Sequence, residues 1–287
     1  MDKGKLQLWT VLDVIRWATE HFEKHEVDSP RLTIELMLCE VLKCERVQLY
    51  LNFERLMHKD ELAQVRVMIE RRVRDREPLQ YILGHTYFYG YRFTVGPSVL
   101  IPRPETELLV DWSIKYIKSQ PQCKTVLDIG TGCGCIGIAI AKQLPLVSVT
   151  GVDKSNDALE TALLNAARNS VTNIRFEQRD ILEQYTFGER FDVVVSNPPY
   201  ISLEVMNELT PEVNQHEPLE ALTDNHDGLL FYRHFARVLR TILKPGGKFF
   251  LEIGFGQAEA MRSIFCDYYI DILEDFSKIP RIVVGTV

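Results

Sequence analysis

Hydrophobic positions along this chain follow two different periods. From Leu6 to about residue 83 they recur at helical spacing, with Leu8, Val11, Leu12, Ile15 and Ala18 on one face. Asp28-Ser29-Pro30 predicts a helix start, with capping side chains ahead of a proline at the first helical position. Leu32, Leu36, Met37, Val41 and Leu42 follow as its apolar positions. Residues 47–51 predict a short helix. Asp60 opens a longer one with Leu62, Val65, Met68, Ile69 and Val73 inward, and Pro78 ends it ahead of a last turn over 79–83. Together these predict a small helical bundle.

At Gly84 the texture changes. Thr86-Tyr87-Phe88-Tyr89-Gly90-Tyr91-Arg92-Phe93-Thr94-Val95 is aromatic and β-prone around a central glycine, which predicts a hairpin. Its rings can serve inter-domain packing alone, or one of them, Phe93, can also cap a ligand pocket. From residue 125 onward, apolar runs of strand length alternate with helical stretches. Strands are expected at 125–129, 147–152, 173–178, 191–196, 247–253, 268–273 and 281–286. This alternation predicts an α/β fold with a doubly wound, seven-stranded, mostly parallel sheet covered on both faces.

Composition narrows the function classes. The 287 residues include 46% hydrophobic and 25% charged side chains, an ordinary globular balance. No apolar run is long enough for a membrane span, and Met1-Asp2-Lys3-Gly4-Lys5-Leu6 lacks the apolar core of a secretory signal. The expectation is a cytoplasmic monomer that binds no membrane. The six cysteines, at 39, 44, 123, 133, 135 and 266, form neither a zinc pattern nor a disulfide framework. The net charge of −7 counts against a dedicated duplex-DNA binder. Arg66, Arg71, Arg72, Arg74 and Arg76 make a local basic run, but acidic residues interleave with them, so a solvated helix face is expected over a weak RNA contact. His21, His25 and His58 are expected as surface residues.

Four stretches carry candidate chemistry. Asp128-Ile129-Gly130-Thr131-Gly132-Cys133-Gly134 runs a buried strand into a glycine loop that allows close approach of backbone to a ligand. The glycines alone also fit a dinucleotide loop through Gly132, Gly134 and Gly137. Asp153, roughly 20 residues further at the next strand end, suits the hydroxyls of a ribose. Asp180 and Ile181 end the third strand, and Asp180 alone could equally be a helix cap. Finally, Val193-Val194-Val195-Ser196-Asn197-Pro198-Pro199-Tyr200 stops a buried strand abruptly. Two prolines with no N–H leave a stiff rim bearing one amide, carbonyl oxygens and one aromatic face.

The glycine loop behind Asp128 resembles that of class I S-adenosylmethionine methyltransferases. Asn-Pro-Pro-Tyr resembles the signature of enzymes that methylate planar, conjugated nitrogens, such as adenine N6 or a glutamine amide. Such a nitrogen needs orientation and oxygen acceptors for its N–H bonds more than it needs a strong base. With Phe88-Tyr89-Gly90, Ile101-Pro102-Arg103-Pro104-Glu105-Thr106-Glu107 and Phe250-Leu251-Glu252-Ile253-Gly254, nearly the whole chain resembles the peptide chain release factor glutamine N5-methyltransferases.

That resemblance implies a Rossmann-like methyltransferase domain over 99–287, a hairpin connector over 84–98 and a substrate-recognising helical domain over 1–83. It implies transfer of a methyl group from S-adenosylmethionine to the glutamine of the Gly-Gly-Gln loop of class I release factors. Gly130, Thr131, Gly132, Cys133, Gly134, Asp153, Asp180 and Ile181 would bind the cofactor, with Asn197 and Phe93 beside it. Asn197 and Pro198 would act on the glutamine amide, and Pro199, Tyr200, Arg103 and Glu105 would help to hold the substrate. No metal is expected. The alternatives are a glutamine methyltransferase acting on a ribosomal protein, an N6-adenine nucleic-acid methyltransferase, and a cofactor-binding module without transferase activity. Cys133 and Cys135 depart from the small residues usual in the loop, and both are small enough to leave it intact.

Overall fold

The computed structural model describes residues 8–287, so Leu6 and the rest of the first seven positions lie outside the described residues. The described chain divides into two compact units, one ending at Gly84 and one running from His85 to Val287.

The first unit is helical: α1 (Val11–Lys24), α2 (Pro30–Leu42), α3 (Arg46–Leu51), α4 (Lys59–Arg74) and α5 (Leu79–Leu83). Thr10 starts α1 by reciprocal capping, its hydroxyl accepting from Asp13 N–H and its own N–H donating to the Asp13 carboxylate. Pro30 begins α2 as expected, but Ser29 sits at φ 48° and makes no side-chain cap. The buried face of α2 is Thr33, Ile34, Glu35, Met37 and Leu38, with Leu32 exposed. The apolar stripe there is too diffuse for spacing alone to pick the inward face. The arginines on and after α4 are mostly paired within the unit: Arg66 with Glu70, Arg71 with Glu77, Arg74 with Asp75. Arg72 is buried and donates to the Glu77 carbonyl.

The second unit begins with the hairpin, β1 (His85–Phe88) and β2 (Tyr91–Thr94). Tyr89 and Gly90 both take positive φ, the turn that matches strand twist. The elements that follow are α6 (Thr106–Ser119), β3 (Thr125–Ile129), α7 (Cys135–Gln143), β4 (Ser148–Asp153), α8 (Asn156–Arg168), β5 (Ile174–Gln178) and β6 (Phe191–Ser196). Three short helices come next, α9 (Leu203–Met206), α10 (Pro211–His216) and α11 (Leu219–Leu222). Then come α12 (Leu230–Ile242), β7 (Leu243–Glu252), α13 (Ala258–Ile264), β8 (Tyr269–Glu274) and β9 (Pro280–Thr286).

The seven strands lie in the order β5-β4-β3-β6-β7-β9-β8. Pairing is parallel from β5 through β7 and antiparallel at β7-β9 and β9-β8. Leu127, Val194, Phe249 and Leu251 pack against Tyr232, Phe235 and Leu239 of α12 on one face. On the other face Gly137 of α7 lies against Asp128 and Val149, close enough that an added Cβ would crowd them. Val193, Val194 and Val195 are fully buried because helices cover both faces of β6. After β5 the chain crosses to the far side of β3, so the carboxyl ends of β3, β4 and β6 meet where the winding reverses. That is where open α/β sheets bind ligands.

Candidate active site

Two adjoining cavities open at this reversal. The first, of about 200 Å3, is lined by the ends of β3, β4 and β6 and by Asp180, Ile181 and Phe231. The second, of about 250 Å3, is lined by Arg103, Tyr200, Ile201, Leu209 and Val213 among others. Leu100, Asn197, Pro198 and Ala221 line both, so the rim after β6 is part of the wall between them.

The glycine loop is built by backbone. Gly130 and Thr131 N–H both donate to the Val152 carbonyl, and Gly132 N–H donates to Asp153 Oδ2 at 2.9 Å. Gly130 and Gly132 take φ of +69° and +55°, and a Cβ on either would meet nothing within 4 Å. The loop thus presents bare backbone beside the first cavity, a cradle that a side chain would fill. Beneath it Asp128 is fully buried, its Oδ2 accepting from the Thr131 hydroxyl and Gly137 N–H. Burial pushes the Asp128 carboxyl up to about 6, against the pull of those two donors. Asp153 also lines the first cavity, and its Oδ1 accepts from Ser155 N–H. Burial raises its pKa, with the Ser155 and Gly132 amides pulling the other way. A carboxylate has about four lone-pair sites, so two backbone donors leave capacity for ligand hydroxyls. Asp180 Oδ1 caps the turn at Leu182 N–H while the residue lines the cavity, so the cap and the lining role coexist.

The rim is pinned from several sides. Ser196 hydroxyl donates to the Ile129 carbonyl across β3 and β6. Asn197 Nδ2 donates to Thr106 Oγ1 at 3.2 Å, which turns its Oδ1 the other way. The Tyr200 carbonyl accepts from Gln257 Nε2, and the Tyr200 hydroxyl lies 3.4 Å from Glu252 Oε1. Burial, then the Glu252 charge, push the Tyr200 pKa upward, so its hydroxyl stays protonated and donates.

The expected residues separate into three groups. Gly130, Gly132, Asp153, Asp180, Ile181, Asn197, Pro198 and Pro199 line the first cavity. Arg103 and Tyr200 line the second, together with Asn197 and Pro198. Thr131, Cys133, Gly134, Glu105 and Phe93 line neither. Thr131 and Cys133 are buried behind the loop, and Gly134 caps α7 at φ 83° with Ile138 and Ala162 against it. Glu105 is exposed at the start of α6. Phe93 is fully buried edge-on to Phe88, which favours packing over a pocket cap. Arg103 is paired: its guanidinium bonds the buried carboxylate of Glu217, which also accepts from Ile101 N–H. Sequence patterning shows no sign of Glu217 or Gln257, because each acts through a contact distant in the chain. Thr106 and Glu252 lie within motifs that carry the family resemblance, but nothing in those motifs assigned either a role.

Two family models match this chain, the PrmC N-terminal domain over residues 13–84 and the methyltransferase small domain over residues 106–215. A release factor glutamine methyltransferase of Geobacter sulfurreducens is 41% identical over 99% of both chains. One from Koribacter versatilis is 39% identical over 93% of this chain and 95% of its own length. The chain belongs to the release factor glutamine methyltransferase family. Among solved structures, a methyltransferase from Pyrococcus furiosus overlays with a TM-score of 0.51 at 16% identity, covering 80% of this chain and 98% of that one. At that identity the likeness speaks to the fold, and it is the sheet described above. Among the described residues of this methyltransferase no helix is long and apolar enough to cross a membrane, and no cluster of acidic, histidine or cysteine side chains could hold a metal.

Proposed function

We propose that this methyltransferase moves a methyl group from S-adenosylmethionine to the side-chain amide nitrogen (N5) of the glutamine in the Gly-Gly-Gln motif of class I peptide chain release factors. The observation that carries this reading is the wall shared by the two cavities, of which the Asn197-Pro198 rim is part. A donor in the first cavity and an acceptor in the second would meet there.

The first cavity suits S-adenosylmethionine by its donor set. The bare backbone at Gly130 and Gly132 would face the amino-acid moiety, Asp153 the ribose hydroxyls, and Asp180 with Ile181 the adenine. Bound there, S-adenosylmethionine supplies an electrophilic methyl on a sulfonium. The protein's own work is at the nitrogen. A primary amide brings two N–H bonds and a conjugated lone pair. Asn197 Oδ1 and the Pro198 carbonyl accept those N–H bonds, which turns the lone pair out of conjugation and toward the donor. The same oxygens stabilise the positive charge that develops on nitrogen as the new N–C bond forms. As that bond forms the methyl–sulfur bond would break, S-adenosylhomocysteine would leave, and one N–H proton would pass to water, so that the N5-methylamide remains. The Tyr200 ring supports the amide plane. The helical unit is assigned to recognition of the release factor, and substitutions on its exposed face should change KM rather than kcat.

The test is transfer of a labelled methyl group to purified release factor and to the same factor with the Gly-Gly-Gln glutamine replaced. Labelling of the first alone supports the proposal. Equal labelling of both, or labelling only of a ribosomal protein, DNA or RNA, refutes it.

A further inference from the structure

We propose that Glu252 is a positioning residue that sets which end of the Asn197 amide faces the substrate, acting through the hydroxyl of Thr106. This deepens the proposed function and rests on Asn197 as the oxygen acceptor for the glutamine nitrogen.

The geometry begins at the end of β7. Glu252 is 3% exposed, and its Oε2 has no well-aligned hydrogen bond among the described residues. Two hydroxyls stand beside its carboxyl, those of Tyr200 and Thr106. Thr106 is itself buried at the first turn of α6 and accepts from Asn197 Nδ2. Glu252 therefore lies next to both polar side chains of the rim, directly at Tyr200 and through one hydroxyl at Asn197.

An ionised carboxylate can only accept. It draws the hydrogens of Thr106 and Tyr200 toward itself. Thr106 then has only lone pairs to offer Asn197, so the amide must present its NH2 to Thr106 and its oxygen to the substrate. A protonated carboxyl can donate to Thr106 instead. That frees the Thr106 hydrogen for Asn197 Oδ1 and lets the amide turn over. The substrate nitrogen would then meet an NH2 where it needs an oxygen. A buried, uncompensated carboxylate is costly to a fold, so a role in the rim gives a physical reason for its presence.

The groups facing Glu252 set when this happens. Burial pushes its carboxyl up to about 7, the Thr106 and Tyr200 hydroxyls and Arg281 of β9 pull it down, and Glu105 raises it. Tyr232 of α12 donates to its backbone carbonyl. The ionised, correctly ordered rim should therefore prevail above pH 7 and fade below it.

The experiment is methyl transfer to release factor by full-length variants, read as kcat against pH, with cofactor Kd by calorimetry. Glu252→Gln keeps the shape but carries a donor. It should lower kcat at pH 8 by roughly 10–100-fold, a cost typical of a misdirected reacting group. Its cofactor Kd should stay within about twofold, and the limb near pH 7 should vanish. Thr106→Val should lose kcat similarly, and Thr106→Ser should restore it. The Thr106 pair decides the matter if Glu252→Gln does not fold. A folded Glu252→Gln that keeps the limb, or a Thr106→Val with wild-type kcat, overturns the proposal. If Asn197→Ala itself keeps wild-type kcat, the amide-clamp reading beneath it has failed instead.

Discussion

Gly228 offers a way to move the rim without touching it. It sits at φ +76°, and a Cβ built on it would lie 2.1 Å from the Tyr200 carbonyl oxygen and 2.8 Å from the Tyr200 carbonyl carbon. Ordinary contact begins near 3.4 Å, so in Gly228→Ala one backbone must retreat by about 1 Å. Gly228 is held by the Asp224 carboxylate, which accepts its N–H, and Gln257 spans from the Tyr200 carbonyl to the Gly228 carbonyl. Gly228 carries the extra bond to Asp224, so the Tyr200 segment should give way, and Pro198 with it. A misplacement of about 1 Å at reacting groups costs roughly 10²-fold in rate. The left-handed backbone adds about 1–2 kcal/mol of destabilisation for any L side chain. Gly246 separates the two effects, since it has φ +79° and nothing within 4 Å of an added Cβ. Gly246→Ala should lose stability and keep kcat. Gly228→Ala should lose stability and about two orders of magnitude in kcat, with cofactor Kd changed only a few-fold. Steady-state methyl transfer and calorimetry on both variants make the comparison. Equal kcat in the two would refute the claim that rim placement limits the chemistry.

Other substitutions test separate parts of the account. Asn197→Ala should lower kcat by roughly 10²–10³, the usual cost of one oriented electrostatic partner, while calorimetric cofactor affinity changes less; abolished cofactor binding would recast Asn197 as a cofactor residue. Arg103→Gln leaves the Glu217 carboxylate, only 1% exposed, without its cation, and should lower unfolding free energy by about 2 kcal/mol, less than a fully buried pair because Arg103 is partly solvated. Phe93→Ala should destabilise by about 3–5 kcal/mol with cofactor Kd unaltered, and a large loss of cofactor affinity in folded protein would return Phe93 to the pocket. Glu252 has a folded pKa of about 7 against an ordinary 4.5, so its protonation stabilises the fold below pH 4.5 and that stabilisation is lost as pH rises to 7. At about 1.4 kcal/mol per unit this is on the order of 3 kcal/mol. Denaturant midpoints at pH 5 and 8 should show that dependence in the wild type and a weaker one in Glu252→Gln.

The sheet was legible because its strands are short, apolar and separated by helical stretches, and a buried parallel strand has no other appearance in sequence. Val193-Val194-Val195 followed by two prolines located both β6 and its abrupt end. The start of β7 was less clear. Its first residue is Leu243, where 247 was expected, because Pro245-Gly246-Gly247 interrupts the apolar pattern and the pairing shifts register between Phe191 and Val193. The short helices α9 to α11 left little periodicity to read. Within the site, Gly130, Gly132, Asp153, Asp180, Ile181 and Asn197 were legible as cavity lining, since sequence order there is spatial order, whereas Thr131, Cys133 and Gly134 of the same loop turned away from both cavities. The supports of the rim were not. Arg103 and Glu217 are 114 residues apart and Asn197 and Thr106 are 91 apart, and only the folded sheet brings them together. Arg103 looked free for substrate because sequence shows a side chain's chemistry and not its partner.

The most direct measurement is mass spectrometry of a class I release factor after incubation with the enzyme and S-adenosylmethionine. One added methyl group is expected, on the side-chain amide nitrogen of the Gly-Gly-Gln glutamine, and none when Asn197→Ala replaces the wild-type enzyme in a short reaction. A methyl group on any other residue, or an unmodified release factor alongside methylated nucleic acid, would contradict it.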